Sequence, residues 1–87
     1  MSDLKDFKIE NGVLKEYIGE GGTVIIPEGV TKIGSFAFKG NAQIVSVIIS
    51  EGVKEIEEMA FQECYGLQKV IIPSSVTRIG FSALSFG

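Results

Sequence analysis

VIIPEGVTKIGSFAF, from Val24 to Phe38, returns as VIISEGVKEIEEMAF from Val47 to Phe61 and again as VIIPSSVTRIGFSAL from Val70 to Leu84, so one 23-residue unit is written nearly three times. A period in this range marks a solenoid. Each unit makes one coil that is too small to bury its apolar face alone, and stacking a neighbour on it supplies the missing cover. The repeat sets the architecture. What such a scaffold binds is decided by its outward residues.

Working outward from the repeat, the aligned columns state what the coil is built from. Val24, Val47 and Val70 form one column, Ile26, Ile49 and Ile72 a second, Val30, Val53 and Val76 a third, and Ile33, Ile56 and Ile79 a fourth. Ala37, Ala60 and Ala83 follow, then Phe38, Phe61 and Leu84, with Ile44 and Leu67 on the approach to the next strand. Parallel stacking puts identical columns about 4.8 Å apart, so each becomes an apolar rib through the core. Pro27 and Pro73, with Ser50 between them, stand where the strand ends and a lost backbone donor is tolerated, and Gly29 and Gly52 occupy the turn beyond. Each coil therefore reads as a strand, a tight turn, a short second strand around Val30 to Ile33, and about one helical turn around Ser35 to Phe38. Alanine in that turn implies a close approach to the sheet.

At these residues the chain resembles the BspA-like, or Treponema-type, leucine-rich repeats of bacteria and some protists, whose pattern runs strand, Ile-Pro, Val-Thr, Ile-Gly, Ala-Phe. IPEGVTKIGSFAF and IPSSVTRIGFSAL carry that pattern, and SEGVKEIEEMAF departs from it with Ser50 for Pro and Glu57 for Gly. The resemblance covers Thr23 to the end. A cysteine often follows the Ala-Phe pair in that family; Cys64 keeps it here, with Asn41 and Gly87 in the equivalent places. The resemblance implies a right-handed, mainly β leucine-rich-repeat solenoid with short helical turns, used for binding and common in surface-exposed, adhesive proteins. It implies no catalytic residues.

Residues 1–22 are not a repeat and read as its N-terminal cap, with 23–87 forming about three coils of the same single domain. DFKIE and VLKEYI flank Asn11-Gly12, a pair suited to a type I′ hairpin because both central positions need positive φ. Phe7, Ile9, Val13 and Tyr17 are expected to cover the open end of the first coil, and Gly19, Gly21 and Gly22 to form a flexible lead-in. At the other end the third unit stops at Gly87, about five residues short of a full unit, without a polar cap.

The chain is 45% hydrophobic with net charge −3, enough apolar content for a small core. Its longest apolar runs fall far short of the roughly 20 residues needed to cross a bilayer, and MSDLKDF lacks the basic start and apolar stretch of a secretion signal. The expectation is a cytoplasmic chain with no membrane insertion, or a cell-surface or secreted one if it belongs to a longer protein. No histidine is present, so a serine or cysteine nucleophile lacks its usual base and the commonest metal ligand is missing. One cysteine makes neither an internal disulfide nor a zinc site, and Cys64 reads as a half-buried residue between coils. The acidic balance and lack of a basic stripe disfavour nucleic acid. No cofactor is expected.

Three features bear on binding. Glu51, Glu55, Glu57, Glu58 and Glu63 make the middle unit acidic; they are spread around a coil, unlike a calcium loop, and read first as solvated surface, with Glu57 and Glu58 favouring the start of the short helical turn. Lys32, Glu55 and Arg78 make an outward ladder of alternating sign, each pair contributing about 0.2–1 kcal/mol. Ile25, Ile48 and Ile71 alternate with core residues and therefore point outward, forming an apolar stripe where polar residues are usual. Such a stripe is either a β-branched ladder packing on itself or a contact surface.

The expected function is a non-catalytic protein-binding module, with Ile25, Ile48, Ile71, Glu51, Glu55 and Glu58 as candidate partner contacts. The alternative is a small free-standing cytoplasmic inhibitor, of the kind carried by mobile elements, that docks on a larger enzyme. The exposed last coil further predicts a homodimer through Phe81, Leu84 and Phe86, against a fold-back of Phe86 as a lid.

Overall fold

The computed structural model describes residues 4–85. After a short 3-10 turn at Leu4–Asp6, strands β1 (Phe7–Glu10) and β2 (Val13–Tyr17) form an antiparallel hairpin around Asn11 and Gly12, whose φ values of 51° and 78° are those a type I′ turn requires. The three coils follow as β3 (Gly22–Ile25) and β4 (Lys32–Ile33), β5 (Ile44–Ile48) and β6 (Glu55–Ile56), then β7 (Lys69–Ile71) and β8 (Arg78–Ile79). The first strand of each coil joins a three-stranded parallel sheet, β3-β5-β7. The second joins a five-stranded sheet in which β2 of the hairpin pairs in parallel with β4, giving the order β1-β2-β4-β6-β8. The expected cap is therefore an integral part of one sheet.

Stacking at the 23-residue offset places Val24 beside Val47 and Val70, and Ile33 beside Ile56 and Ile79. Inward side chains from both sheets meet as one core, in which Val24, Ile26, Val30, Ile33, Ile44, Val47, Val53 and Ile56 are buried. Each such side chain contributes about 1.5–3 kcal/mol relative to exposure. Burial fades along the stack: Ile56 is fully buried while Ile79, in the same column, is 51% exposed.

The hairpin caps this core with residues other than those expected. Phe7 and Tyr17 are buried as predicted, but Leu14 points inward where Val13 was expected to, and Ile9 is 37% exposed on the outermost strand. The cause is a bulge. Lys8 pairs with Glu16 and Ile9 with Leu14, leaving Lys15 as an extra residue on β2, so that Leu14 and Tyr17 can both face the coil. Leu14 then extends the Ile33–Ile56–Ile79 rib, whereas Val13 stacks outside it beside Lys32.

The segment after each second strand also differs from the expected helical turn. Around Ser35–Phe38 it is a succession of tight turns, with Ala37 N bonded to Gly34 O, Lys39 N to Phe36 O and Asn41 N to Phe38 O. Phe36, Met59 and Ser82, one residue per coil, hold φ of 60°, 55° and 55°, and this left-handed residue stops a helix from propagating. The alanine column lies next to it. Tyr17 N bonds Ala37 O and Phe38 N bonds Ala60 O at 2.9 Å each, so the backbones of successive layers meet where alanine leaves room. Beside the alanines runs an aromatic spine: Phe7–Tyr17 and Tyr17–Phe38 at 5.3 Å between ring centroids, and Phe38–Phe61 stacked at 4.9 Å.

The lead-in packs against the hairpin. Gly21 N donates to the Tyr17 hydroxyl at 3.0 Å, and any Cβ at Gly19 would collide with that same ring.

Candidate functional site

On β3, β5 and β7, Val24, Val47 and Val70 take the inward positions, so the two-residue period turns Ile25, Ile48 and Ile71 to the opposite face. The three are directly in register, with Ile25 44% and Ile71 45% exposed and Ile48 half-buried between them. Two residues back on the same face is a polar row, Thr23, Ser46 and Lys69, in which the Ser46 hydroxyl donates to that of Thr23 at 3.2 Å. The expected stripe is present as a ridge flanked by hydroxyls and a lysine.

Val45 belongs to the same surface and was missed. The pairing of β3 with β5 steps from Gly22–Ile44 to Thr23–Ser46, which leaves Val45 as an extra, exposed apolar residue. The available signal was the doublet Ile44-Val45, which corresponds to Leu67-Gln68 one unit later.

The acidic candidates do not assemble with that ridge. Glu55 lies on the other sheet, where its column with Lys32 and Arg78 is as expected and its carboxylate is 3.7 Å from Lys32 Nζ. Glu58 is exposed in the turn beyond β6, and Glu51 sits in the turn after β5, accepting from the Ser74 hydroxyl at 3.3 Å. Glu57 takes a role that its sequence position did not reveal. Standing where the flanking units carry Gly34 and Gly80, it reaches over the preceding coil to accept from Ser35 N at 3.2 Å and to meet Lys32 Nζ at 3.7 Å. Its carboxylate thus ties two coils together rather than favouring a helix start within its own. Ser35, Glu55, Glu57, Glu58, Gly80 and Phe81 border an open acidic depression. Among the described residues no group of three or more His, Cys, Asp or Glu is placed to hold a metal ion.

Other repeat departures also connect coils. Ser50, in the proline column, donates to Pro27 O at 3.3 Å; Ser75, in the column of Gly29 and Gly52, donates to Val53 O at 2.7 Å and accepts from Gly52 N at 3.1 Å. Cys64 is fully buried, not half-buried, with its thiol donating to Phe38 O at 2.9 Å. Burial pushes its pKa up, partly opposed by a hydrogen bond with the Asn41 backbone. A buried, neutral thiol is structural and poorly nucleophilic.

At the end of the stack Phe81 is 75% exposed and Ile72 38% exposed, while Val70, Val76 and Leu84 are only partly covered. Phe86, the third residue expected there, lies outside the described residues. No helix among those described is long and apolar enough to cross a membrane.

The repeat geometry agrees with comparisons against known proteins. A crystal structure of a leucine-rich repeat protein of T. pallidum superposes with a TM-score of 0.81 at 25% sequence identity, over 90% of this chain and 42% of that one. The chain therefore spans less than half the length of that relative. No curated protein sequence is significantly similar. The family model described as BspA type leucine rich repeat region (6 copies) matches residues 8–86, which takes in the hairpin as well as the three coils; the chain belongs to the BspA-type leucine-rich repeat family.

Proposed function

We infer that the chain is a non-catalytic protein-binding module whose contact face is the outer surface of the β3-β5-β7 sheet. The observation that carries this reading is the in-register apolar row Ile25, Ile48 and Ile71, exposed at both ends and extended by Val45. Apolar side chains on a rigid parallel sheet lose little further conformational freedom when a partner covers them, so their burial converts efficiently into affinity. The adjacent Thr23, Ser46 and Lys69 offer donors and a positive charge at the margin, the arrangement of an apolar centre with a polar rim. Membership of a repeat family that serves as a binding scaffold supports the same reading.

The acidic surface around Glu55 and Glu58 lies on the other sheet and belongs to a separate contact or to none. Affinity capture from the native host, run in parallel with the intact protein and with Ile25, Ile48 and Ile71 all changed to Thr, tests the assignment. Threonine keeps the β-branched shape and removes the apolar contact. A partner that the intact protein retains and the folded triple variant loses is expected. Equal retention by both would remove this face from consideration.

A further inference from the structure

We propose that the partner held on the β3-β5-β7 face is a protein segment whose apolar side chains cover Ile25, Ile48 and Ile71 while a pair of its Lys or Arg side chains meets Glu28 and Glu51. The proposal rests on the binding face inferred above and adds the chemistry of what fills it. Glu28 follows Ile25 by three residues, and Glu51 follows Ile48 by three. Both are exposed, in the turns reached where β3 and β5 end. They stand beyond the ridge rather than in it, at most about 10 Å away along an extended chain.

The stacking continues through these turns. Ile26 N donates to Ile48 O at 3.0 Å and the Ser50 hydroxyl to Pro27 O at 3.3 Å, so the offset that pairs Ile25 with Ile48 also brings Glu28 beside Glu51. Layers about 4.8 Å apart then carry like charges on adjacent coils, which is unfavourable until a cation lies against them. The other sheet meets the same problem internally, because Lys32, Glu55 and Arg78 alternate in sign along their column. In the Glu28 column nothing alternates. The ion pairs among the described residues are Lys8–Glu16, Lys32–Glu55 and Lys32–Glu57, none of which involves Glu28 or Glu51, and the third member of the column is Ser74, whose hydroxyl donates to Glu51 at 3.3 Å. The face therefore has an apolar centre and one margin of uncompensated negative charge. A partner with cations placed to match gains attraction and faster encounter there, and an acidic one is repelled. Lys69, in register with Ser46 at the opposite margin, disfavours basic side chains on that side, so the pair has one end of the face at which to dock.

Selection of a phage-displayed library of short random peptides on the 87-residue chain tests it, with the enriched peptides synthesised and their affinities measured at low and high salt. The expected peptides combine apolar residues with Lys or Arg. Glu28→Gln with Glu51→Gln, both at exposed sites, should keep the far-UV circular dichroism of the parent, weaken these peptides about tenfold and flatten their dependence on salt. Glu28→Lys with Glu51→Lys should turn the selection towards acidic peptides, whereas Glu58→Gln, in the turn beyond β6, should change nothing. Enriched peptides that lack basic residues, or basic ones indifferent to the Gln pair, but lost with Ile25, Ile48 and Ile71 all changed to Thr, would overturn the proposal and leave the face standing. Peptides indifferent to that triple change, or no enrichment at all, would overturn the proposal together with the face it rests on.

Discussion

Ile33, Ile56 and Ile79 occupy one column of one repeat, so changing two of them identically isolates the effect of the neighbouring coil. Replacing Ile56 with Ala removes three carbon groups from a site with no exposure. At about 0.8 kcal/mol each the transfer loss is about 2.4 kcal/mol. Ile33 and Ile79 hold the walls apart on either side, so a cavity remains and the total cost reaches about 3–4 kcal/mol. The same change at Ile79, 51% exposed and with no coil above it, forfeits about half the transfer loss and leaves no closed cavity, close to 1 kcal/mol. For a domain of this size each kcal/mol moves the melting temperature by roughly 4–8 °C. Thermal melts followed by far-UV circular dichroism should therefore place Ile56→Ala about 8–24 °C below Ile79→Ala. Equal shifts would refute the idea that each coil is stabilised by the one stacked on it.

Three further outcomes are expected. Glu63 holds φ 61° in the column of Gly40, so Glu63→Gly should relieve left-handed strain and raise stability by about 0.5 kcal/mol, whereas Glu58→Gly, where φ is not positive, should lower it; urea midpoints compare the two. Cys64 should react with a thiol reagent at neutral pH far more slowly in the folded chain than in denaturant. Its raised pKa means that the stability gained from a neutral thiol is complete below the ordinary thiol range and is lost as pH rises above it; paired melts across that range should show a pH-dependent loss that Cys64→Ala lacks.

The columns that repeat could be read directly, because a side chain's inward or outward direction follows from period and stacking alone. That covers the core ribs, the outward Ile row and the Lys32–Glu55–Arg78 ladder. The misreadings arose at irregularities. One extra residue, Lys15, reversed the facing expected of Val13 and Leu14 and has no signature in residue type; one extra residue, Val45, enlarged the candidate surface, signalled only by the apolar doublet Ile44-Val45. Glu57 was opaque for another reason. Its partners, Ser35 N and Lys32 Nζ, are 22 and 25 residues away, so its role depends on a stacked neighbour and on the space that Gly34 leaves. The short helical turn was expected from Ala-Phe spacing, but the bulky residue before each alanine or its equivalent sits at positive φ, which no propensity scale anticipates for Phe36 or Met59.

The most direct test of the binding assignment is isoleucine-methyl NMR of the protein titrated with its captured partner. Assigned methyl signals report each position separately in one experiment. The account predicts that Ile25, Ile48 and Ile71 shift or broaden together on binding while the buried Ile33 and Ile56 stay in place. Unperturbed signals from all three, with the changes concentrated instead on residues around Glu55 and Glu58, would contradict it.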